Sequence, residues 1–222
     1  MKDCEDIFLL NREFSCEIRH IPFKRIFDVL FSLMVLIVGS PIFLLIALSI
    51  SLSSPGKVIY YQNRVGRGGS SFRCYKFRSM YVDADRRLGL ILKNDSKMRE
   101  EWEKSYKLKR DPRVTPLGAF LRRTSLDELP QFWNVFRGDL SVVGPRPVVH
   151  EEIVKYFGVK AYKIFSIRPG ITGLWQISGR SNIDYTQRVA LDEYYVDKRS
   201  ALLDAKVILK TIPSVLFTKG AY

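Results

Sequence analysis

The chain has 222 residues, which indicates one domain, or one domain with a short appendage, and excludes a large multidomain protein. Its 46% hydrophobic and 13% aromatic content is enough for a core and excludes global disorder. A net charge of +13 indicates an anionic partner, which charge alone leaves open between nucleic acid, anionic lipid and a phosphorylated substrate. Three widely spaced cysteines indicate neither a disulfide framework nor a zinc site, so a reducing cytoplasm is expected.

An uncharged, strongly apolar run covers residues 29–54 and indicates a membrane segment. As a straight helix at about 1.5 Å per residue it would reach about 39 Å, more than the roughly 30 Å of a bilayer core. Gly39, Ser40 and Pro41 lie near its centre, where proline removes an amide donor and clashes with the preceding turn. We therefore predict a sharp bend at Ser40 and Pro41.

The bend predicts a re-entrant segment, because each half, about 12 or 13 residues long, is too short to cross alone. Basic residues flank the run on both sides, so both ends are expected in the cytoplasm. A signal anchor that crosses as a kinked helix remains an alternative, whereas the run is longer than the apolar region of a cleaved signal peptide. Asp28, at the entrance, is expected to pair with Lys24 or Arg25 at the interface.

The predicted fold is a membrane-associated α/β protein in three parts. These are a juxtamembrane segment 1–25, a re-entrant membrane helix 26–54, and a compact, mostly helical cytoplasmic domain 55–222. Strand patterns at 57–62 and 72–79, separated by a glycine-rich turn, predict a short β-hairpin. In the second strand the two-residue period places Cys74, Lys76 and Arg78 on one face. Residues 83–108 and 201–219 are expected to form amphipathic helices at the interface.

Asp127 and Glu128 form an acidic pair within the most unusual stretch of the chain. Ser125 and Glu128 match a capping box, and Gly138 is placed to end the helix, so the acids have a purely structural explanation as helix-start residues. Their surroundings favour chemistry, because four arginines lie close in sequence: Arg122, Arg123, Arg137 and Arg146. Cations beside acids suit a phosphate site in which one carboxylate binds a divalent cation and the other attacks phosphorus.

Mg²⁺ is the expected cation, because it accepts one or two carboxylates and completes its shell with water and substrate phosphates. His20 and His150 are isolated in sequence, so they do not indicate a zinc site. A second cluster at 168–176 contains Arg168, which suits a bidentate anion contact, and Trp175, for which packing is the first explanation. Asp192 is a further candidate acid.

Several motifs together resemble the bacterial sugar transferases, also called monotopic phosphoglycosyl transferases or polyprenyl-phosphate hexose-1-phosphate transferases. The similarity runs from about Lys24 to near the C-terminus. The motifs that carry it are Phe23-Lys24-Arg25-Ile26-Phe27-Asp28, Ser40-Pro41, Lys76-Phe77-Arg78-Ser79-Met80, Ser125-Leu126-Asp127-Glu128-Leu129-Pro130-Gln131, Gly144-Pro145-Arg146-Pro147 and Arg168-Pro169-Gly170-Ile171-Thr172-Gly173. Longer family members carry additional transmembrane helices before this region, so the chain is expected to be the catalytic unit alone.

The resemblance implies transfer of a sugar 1-phosphate from a UDP-sugar to polyprenyl phosphate, with undecaprenyl phosphate the expected acceptor and UMP the product. This would be the first membrane step of a bacterial surface glycan pathway. By the same resemblance Asp127 is the nucleophile that forms a phosphosugar intermediate, and Glu128, with Asp127, binds Mg²⁺. The residues that the resemblance assigns to phosphate binding are Lys76, Arg78, Arg146 and Arg168, with Asp192 as a further candidate and Ser40-Pro41 as the helix break.

The expected partners are the UDP-sugar, the polyprenyl phosphate and the bilayer, and the expected location is the cytoplasmic face of the bacterial inner membrane. A homodimer is one option that the sequence leaves open, as is the identity of the sugar. No nucleic-acid motif accompanies the charge, so nucleic acid is not an expected partner. The alternative function is a non-enzymatic basic adaptor that binds anionic lipid.

Overall fold

The structure is a computed structural model that describes residues 21–105, 108, 110–179 and 183–216. Most of the predicted juxtamembrane segment therefore lies outside the described residues. The described part is mostly helical with a short β-hairpin, as predicted. Its longer elements in chain order are α1 Lys24–Val38, α2 Ser40–Ser53, β1 Ile59–Val65, β2 Ser71–Phe77, α3 Ala84–Asn94, α4 Ser96–Ser105, α5 Pro116–Arg123, α6 Gln131–Arg137, β3 Ser141–Val143, α7 Lys160–Ile164, β4 Gly170–Thr172, α8 Leu174–Ile177, α9 Tyr185–Lys198 and α10 Ala201–Leu216.

The apolar run folds as two helices, α1 and α2, that meet at a bend of 59°. The bend confirms the predicted break, and the residue between the helices is Gly39, directly before Ser40. Pro41 occupies the first turn of α2, where a missing amide proton costs little. No single helix among the described residues is long and apolar enough to cross a bilayer, whereas the bent pair meets that test by length and composition.

The bent pair leaves many large apolar side chains exposed. Each of the following side chains is at least half exposed: Leu30, Met34, Ile37, Val38, Ile42, Leu44, Leu45, Leu48 and Leu52. A continuous apolar surface of this kind is unusual in a monomer surrounded by water and typical of contact with lipid or another protein.

The start of α1 is fastened to the domain by polar contacts. The Arg25 guanidinium donates hydrogen bonds to the carbonyl oxygens of Val135 and Phe136 at 2.6 and 2.8 Å, which are acceptors left over at the end of α6. Lys24 pairs with Asp204 of α10.

Asp28 does not pair with Lys24 or Arg25, so that expectation was wrong. It is buried, and its carboxylate accepts the amide N–H of Val142 in β3 at 3.0 Å. The polar face of α1 turns toward the domain, and this makes Asp28 part of the interior rather than of an interface with lipid headgroups.

The predicted hairpin is confirmed with shifted bounds. β1 and β2 are antiparallel, with Ile59 opposite Phe77 and Val65 opposite Ser71. A short turn, Arg67–Gly69, joins them, and Gly68 takes a positive φ of 66° there. The single helix expected over 83–108 is instead the two helices α3 and α4, which are separated by Asp95.

A second, parallel pair of strands, β3 and β4, was not predicted. Ser141 lies opposite Gly170 and Val143 opposite Thr172. Both strands have only three residues, too few for an alternating pattern to be read from the sequence. The pair brings the loop after Val143 next to the start of the second motif cluster.

Three apolar clusters form the core of the described residues, and one of them ties α2 to the domain. Ile46 and Ile50 of α2 pack with Phe77 of β2 and Leu121 of α5. The partly buried Leu126 and Leu129 join this cluster from the chain segment that carries the acidic pair. The position of α2 and the position of the acids therefore depend on one packed group.

Two helical glycines give a matched stability prediction. A Cβ at Gly118 in α5 would lie 1.9 Å from the carbonyl oxygen of Ser79, whereas a Cβ at Gly89 in α3 would meet nothing within 4 Å. Gly118→Ala should lower the free energy of unfolding by about 1–3 kcal/mol, because the backbone must move apart. Gly89→Ala should raise it by about 0.5–1 kcal/mol through helix propensity. Unfolding midpoints of the purified variants test this, and equal effects at both positions would contradict the packing.

Candidate active site

The acidic pair lies in a tight turn between two helices. α5 ends at Arg123, Ser125 adopts a left-handed conformation with φ 58°, and a single 3-10 turn, Leu126–Glu128, follows. Ser125 makes no side-chain capping bond, and Pro130, not Asp127, precedes α6. The capping explanation for the acids is therefore wrong, although Gly138 does end α6, with φ 98°.

Lys76 reaches the acidic pair from β2. Its ammonium nitrogen lies 2.6 Å from Oε1 of Glu128 and 3.9 Å from Oδ2 of Asp127. Asp127 is buried, and the side chain of Glu128 is partly exposed. Lys76 therefore forms a hydrogen-bonded ion pair with Glu128 and a longer electrostatic contact with Asp127.

The two neighbouring acids have opposite pKa shifts. Burial raises the pKa of Asp127, and the adjacent Glu128 charge adds to this against the opposing Lys76 and Arg122 charges. Burial also works against ionised Glu128, but the nearby Lys76 and Arg146 charges outweigh it and lower the pKa of Glu128. Glu128 is thus the charged anchor of the pair, and Asp127 is the less solvated, more basic carboxylate.

Three arginines act on the pair through their charges. Arg122 donates from Nε to Oγ of Ser79 at 2.9 Å, and its charge favours ionised Asp127. Arg146 and Arg64 both favour ionised Glu128. The sequence therefore placed Arg122 and Arg146 correctly in the surroundings of the acids.

Arg64 was missed. Its side chain approaches Oε2 of Glu152 to 3.8 Å, and burial together with the Arg146 charge lowers the pKa of Arg64. The signal that would have found it is strand alternation, because Arg64 lies opposite Phe72 in the hairpin, on the same face as Cys74 and Lys76.

Arg146 and Arg188 lie over the ring of Trp175. Their guanidinium carbons are 4.9 and 4.8 Å from the indole centroid. Trp175 is buried, so the packing explanation holds, and its ring also contacts Arg146, whose charge favours ionised Glu128. Arg188 was not predicted, since it lies on α9, far along the chain.

Asp192 is buried next to this group. Burial raises the pKa of Asp192 to about 8, against the opposing charges of Arg146 and Arg188, so it is mainly neutral at pH 7. Its Oδ1 has no hydrogen-bond partner among the described residues. Asp192 therefore adjoins the arginine side of the site and does not join the acidic pair.

Arg78 and Arg168 have other partners. Arg78 donates to the carbonyl oxygens of Ser54 and Pro55 at 2.6 and 2.8 Å, which fixes the connection after α2. Arg168 donates from Nε to the carbonyl oxygen of Gly138 at 2.8 Å. Neither has a contact with the acidic pair in the described part of the chain, and their role in binding phosphate stays a prediction.

The donor set suits Mg²⁺ bound together with a substrate. Among the described residues no three His, Cys, Asp or Glu side chains are grouped to hold a metal ion. Asp127 and Glu128 offer two carboxylates, the number that Mg²⁺ uses when phosphates and water complete its shell. Because Lys76 already binds Glu128, an ion would have to share this carboxylate with the lysine.

Comparison with known proteins agrees with these motifs. The family model described as bacterial sugar transferase matches residues 19–218. The exopolysaccharide production protein ExoY of Sinorhizobium fredii is 46% identical over 199 residues, covering 90% of this chain and 88% of ExoY.

Two longer relatives are named for a reaction. The undecaprenyl-phosphate galactose phosphotransferase of Salmonella typhimurium is 46% identical over 90% of this chain. The UDP-glucose:undecaprenyl-phosphate glucose-1-phosphate transferase of Escherichia coli is 39% identical over the same share. This chain spans 41% of the length of each. The match over most of its length shows that the chain belongs to the bacterial sugar transferase family.

Proposed function

We propose that the protein transfers a sugar 1-phosphate from a UDP-sugar to polyprenyl phosphate, with undecaprenyl phosphate the acceptor, and releases UMP. The observation that carries the proposal is the buried Asp127 beside Glu128 and Lys76, with arginines on several sides. The names of the Salmonella and Escherichia coli relatives describe this type of transfer to undecaprenyl phosphate, and ExoY is named for exopolysaccharide production.

In the first step a carboxylate oxygen of Asp127 attacks the phosphorus that carries the sugar. The new Asp127 O–P bond forms as the bond from that phosphorus to the bridging oxygen breaks, and the electron pair leaves with UMP. Burial makes the Asp127 carboxylate a stronger base than a solvated one. Lys76, Arg64 and Arg146 stabilise the charge on the phosphoryl oxygens.

In the second step an oxygen of the polyprenyl phosphate attacks the phosphorus of the Asp127 acyl phosphate. The Asp127 O–P bond breaks, the carboxylate is restored, and polyprenyl-diphosphate-sugar leaves. A covalent intermediate allows the charged nucleotide to depart before the lipid acceptor enters, so one site can serve both substrates in turn.

Mg²⁺ belongs to the same proposal, with Glu128 and Asp127 as its protein ligands. When bound, the ion would neutralise charge on the diphosphate. The residues of the chain contribute separately: Lys76 orients Glu128, while the arginines bind the phosphoryl oxygens that the ion leaves open.

The location proposed is the cytoplasmic face of the bacterial inner membrane, with α1 and α2 as a re-entrant pair. The 59° bend and the exposed apolar side chains of the pair support it. A nucleotide sugar arrives from the cytoplasm and a lipid phosphate lies at the bilayer surface, so both substrates meet at this interface.

Asp127→Asn should reduce UMP release from a UDP-sugar at least about 10³-fold, because an amide cannot act as the nucleophile. Asp83→Asn is the control, since Asp83 is half exposed and pairs with Arg87 at the surface. Radiolabelled sugar should also become attached to the wild-type chain and not to Asp127→Asn. Full UMP release by Asp127→Asn would remove Asp127 as the nucleophile, whereas an absence of UMP release by the wild type with every UDP-sugar would favour the alternative, an adaptor that binds anionic lipid.

Removal of divalent cations should abolish UMP release, and added Mg²⁺ should restore it, because the acidic pair needs an ion to accept the diphosphate. Chelation with EDTA followed by Mg²⁺ or K⁺ at equal ionic strength separates this effect from salt screening. Undiminished turnover in EDTA would remove Mg²⁺ from the mechanism and leave Lys76 and the arginines as the only cations of the site.

Cysteines introduced at Pro22 and Lys57 test the re-entrant path, because these exposed residues lie at the two ends of the bent pair. Cys4 and Cys16 are first replaced by serine, and Cys74 is buried. Both new cysteines should react with a membrane-impermeant maleimide only after the inner membrane is permeabilised. Labelling of one of them in cells with an intact inner membrane would show that the pair crosses.

A further inference from the structure

A cleft of about 270 Å³ lies between β2 and the end of α6, lined by Ser71, Phe72, Arg73, Tyr75, Arg137 and Asp139. Arg137 is one of the arginines that the sequence placed near the acidic pair, and in the structure it lies in this cleft instead. Arg73 and Tyr75 alternate with Lys76, so their side chains leave β2 on the face opposite to the one that reaches Glu128. Among the described residues none that lines the cleft contacts Asp127 or Glu128, so the cleft is separate from the candidate active site.

Two guanidinium groups line the cleft, and one of them lies near a carboxylate. Nε of Arg137 is 3.7 Å from Oδ2 of Asp139, and the Arg73 guanidinium carbon lies 5.0 Å above the ring centroid of Tyr61. Within the described residues neither guanidinium donates a hydrogen bond to a protein acceptor, and both side chains are largely accessible. Most of their N–H donors are thus available to an anion.

The two walls of the cleft are held by one buried side chain. Asn134 is fully buried, and it donates from Nδ2 to the carbonyl oxygen of Arg73 at 2.8 Å and to Oδ2 of Asp139 at 3.0 Å. Its Oδ1 accepts the amide N–H of Tyr75 at 3.0 Å. The backbone segments that carry Arg73 and Arg137 are therefore held together before any ligand arrives, and this lowers the entropic cost of binding.

The surroundings of the cleft have the composition of a membrane interface. Trp133 of α6 is 47% exposed and stacks on Phe136, while Tyr61 is 48% exposed beside Arg73. α6 is joined to the first turn of α1 through Arg25. Aromatic and arginine side chains beside an apolar helix are typical of the headgroup level of a bilayer.

We propose that the cleft between Arg73 and Arg137 binds a phosphate group, supplied by the headgroup of an anionic phospholipid. A phospholipid headgroup and free phosphate both present phosphate oxygens, and two guanidinium groups recognise these oxygens through charge-assisted hydrogen bonds. The choice of a lipid source rests on the proposed membrane location, whereas the anion site itself does not.

Native mass spectrometry of the delipidated, detergent-solubilised full chain tests the site. The protein is titrated with phosphatidylglycerol, with phosphatidylcholine, or with phosphatidylglycerol in the presence of inorganic phosphate. The test variant is Arg73→Gln with Arg137→Gln. The control is Arg86→Gln with Arg110→Gln, which removes the same charge from two exposed positions outside the cleft.

One phosphatidylglycerol should bind tightly to the wild type and the control, and at least about tenfold more weakly to the test variant. Preference for phosphatidylglycerol over phosphatidylcholine supports recognition of an anionic lipid headgroup. Displacement of the lipid by millimolar phosphate shows that free phosphate competes for the same anion site. Equal lipid binding by all three proteins, or equal loss in test variant and control, overturns the proposal. UMP release measured on the same samples reports on the proposed function separately, because neither arginine contacts the acidic pair.

Discussion

The contact between the Lys76 ammonium and Glu128 is the interaction on which the rest of the site depends. It joins a strand of the hairpin to a 3-10 turn more than 50 residues later in the chain, and it decides which of two adjacent acids carries the stable charge. With Glu128 held by Lys76 and Arg146, the buried Asp127 is left as the more basic carboxylate. Burial, Lys76 and Arg146 thereby give two neighbouring side chains different chemical properties.

The same strand also connects the site to the bent helix pair. Lys76 and Phe77 are consecutive, so their side chains leave β2 on opposite faces. Lys76 meets the acids, while Phe77 packs with Ile46 and Ile50 of α2 and with Leu121. A displacement of α2 would therefore move the strand that holds Glu128. This gives a physical reason why membrane attachment and catalysis would be coupled in the proposed enzyme.

The high positive charge of the chain is divided between separate places rather than spread over one surface. Arg64, Arg122 and Arg146 surround the acidic pair, where their charges oppose its desolvation. Arg73 and Arg137 lie on the other face of the hairpin, and Arg78 fixes the connection after α2. The arginines thus have three kinds of partner. One group acts on carboxylates and substrate phosphates, a second on a proposed lipid headgroup, and a third donates hydrogen bonds to backbone carbonyl oxygens.

The sequence by itself determined the features that local chemistry controls. These are the bend beside Ser40 and Pro41, the hairpin with its glycine turn, the acidic pair and the end of α6 at Gly138. Only the tertiary structure decided which distant groups meet. In the folded chain the charge of Arg64 acts on Glu128, and Arg137 lies in the cleft instead of near the acids. Asp28 accepts the N–H of Val142 and does not pair with a neighbouring cation. The physical reason is that propensity and side-chain period act over a few residues, while burial and long-range pairing depend on how whole elements pack.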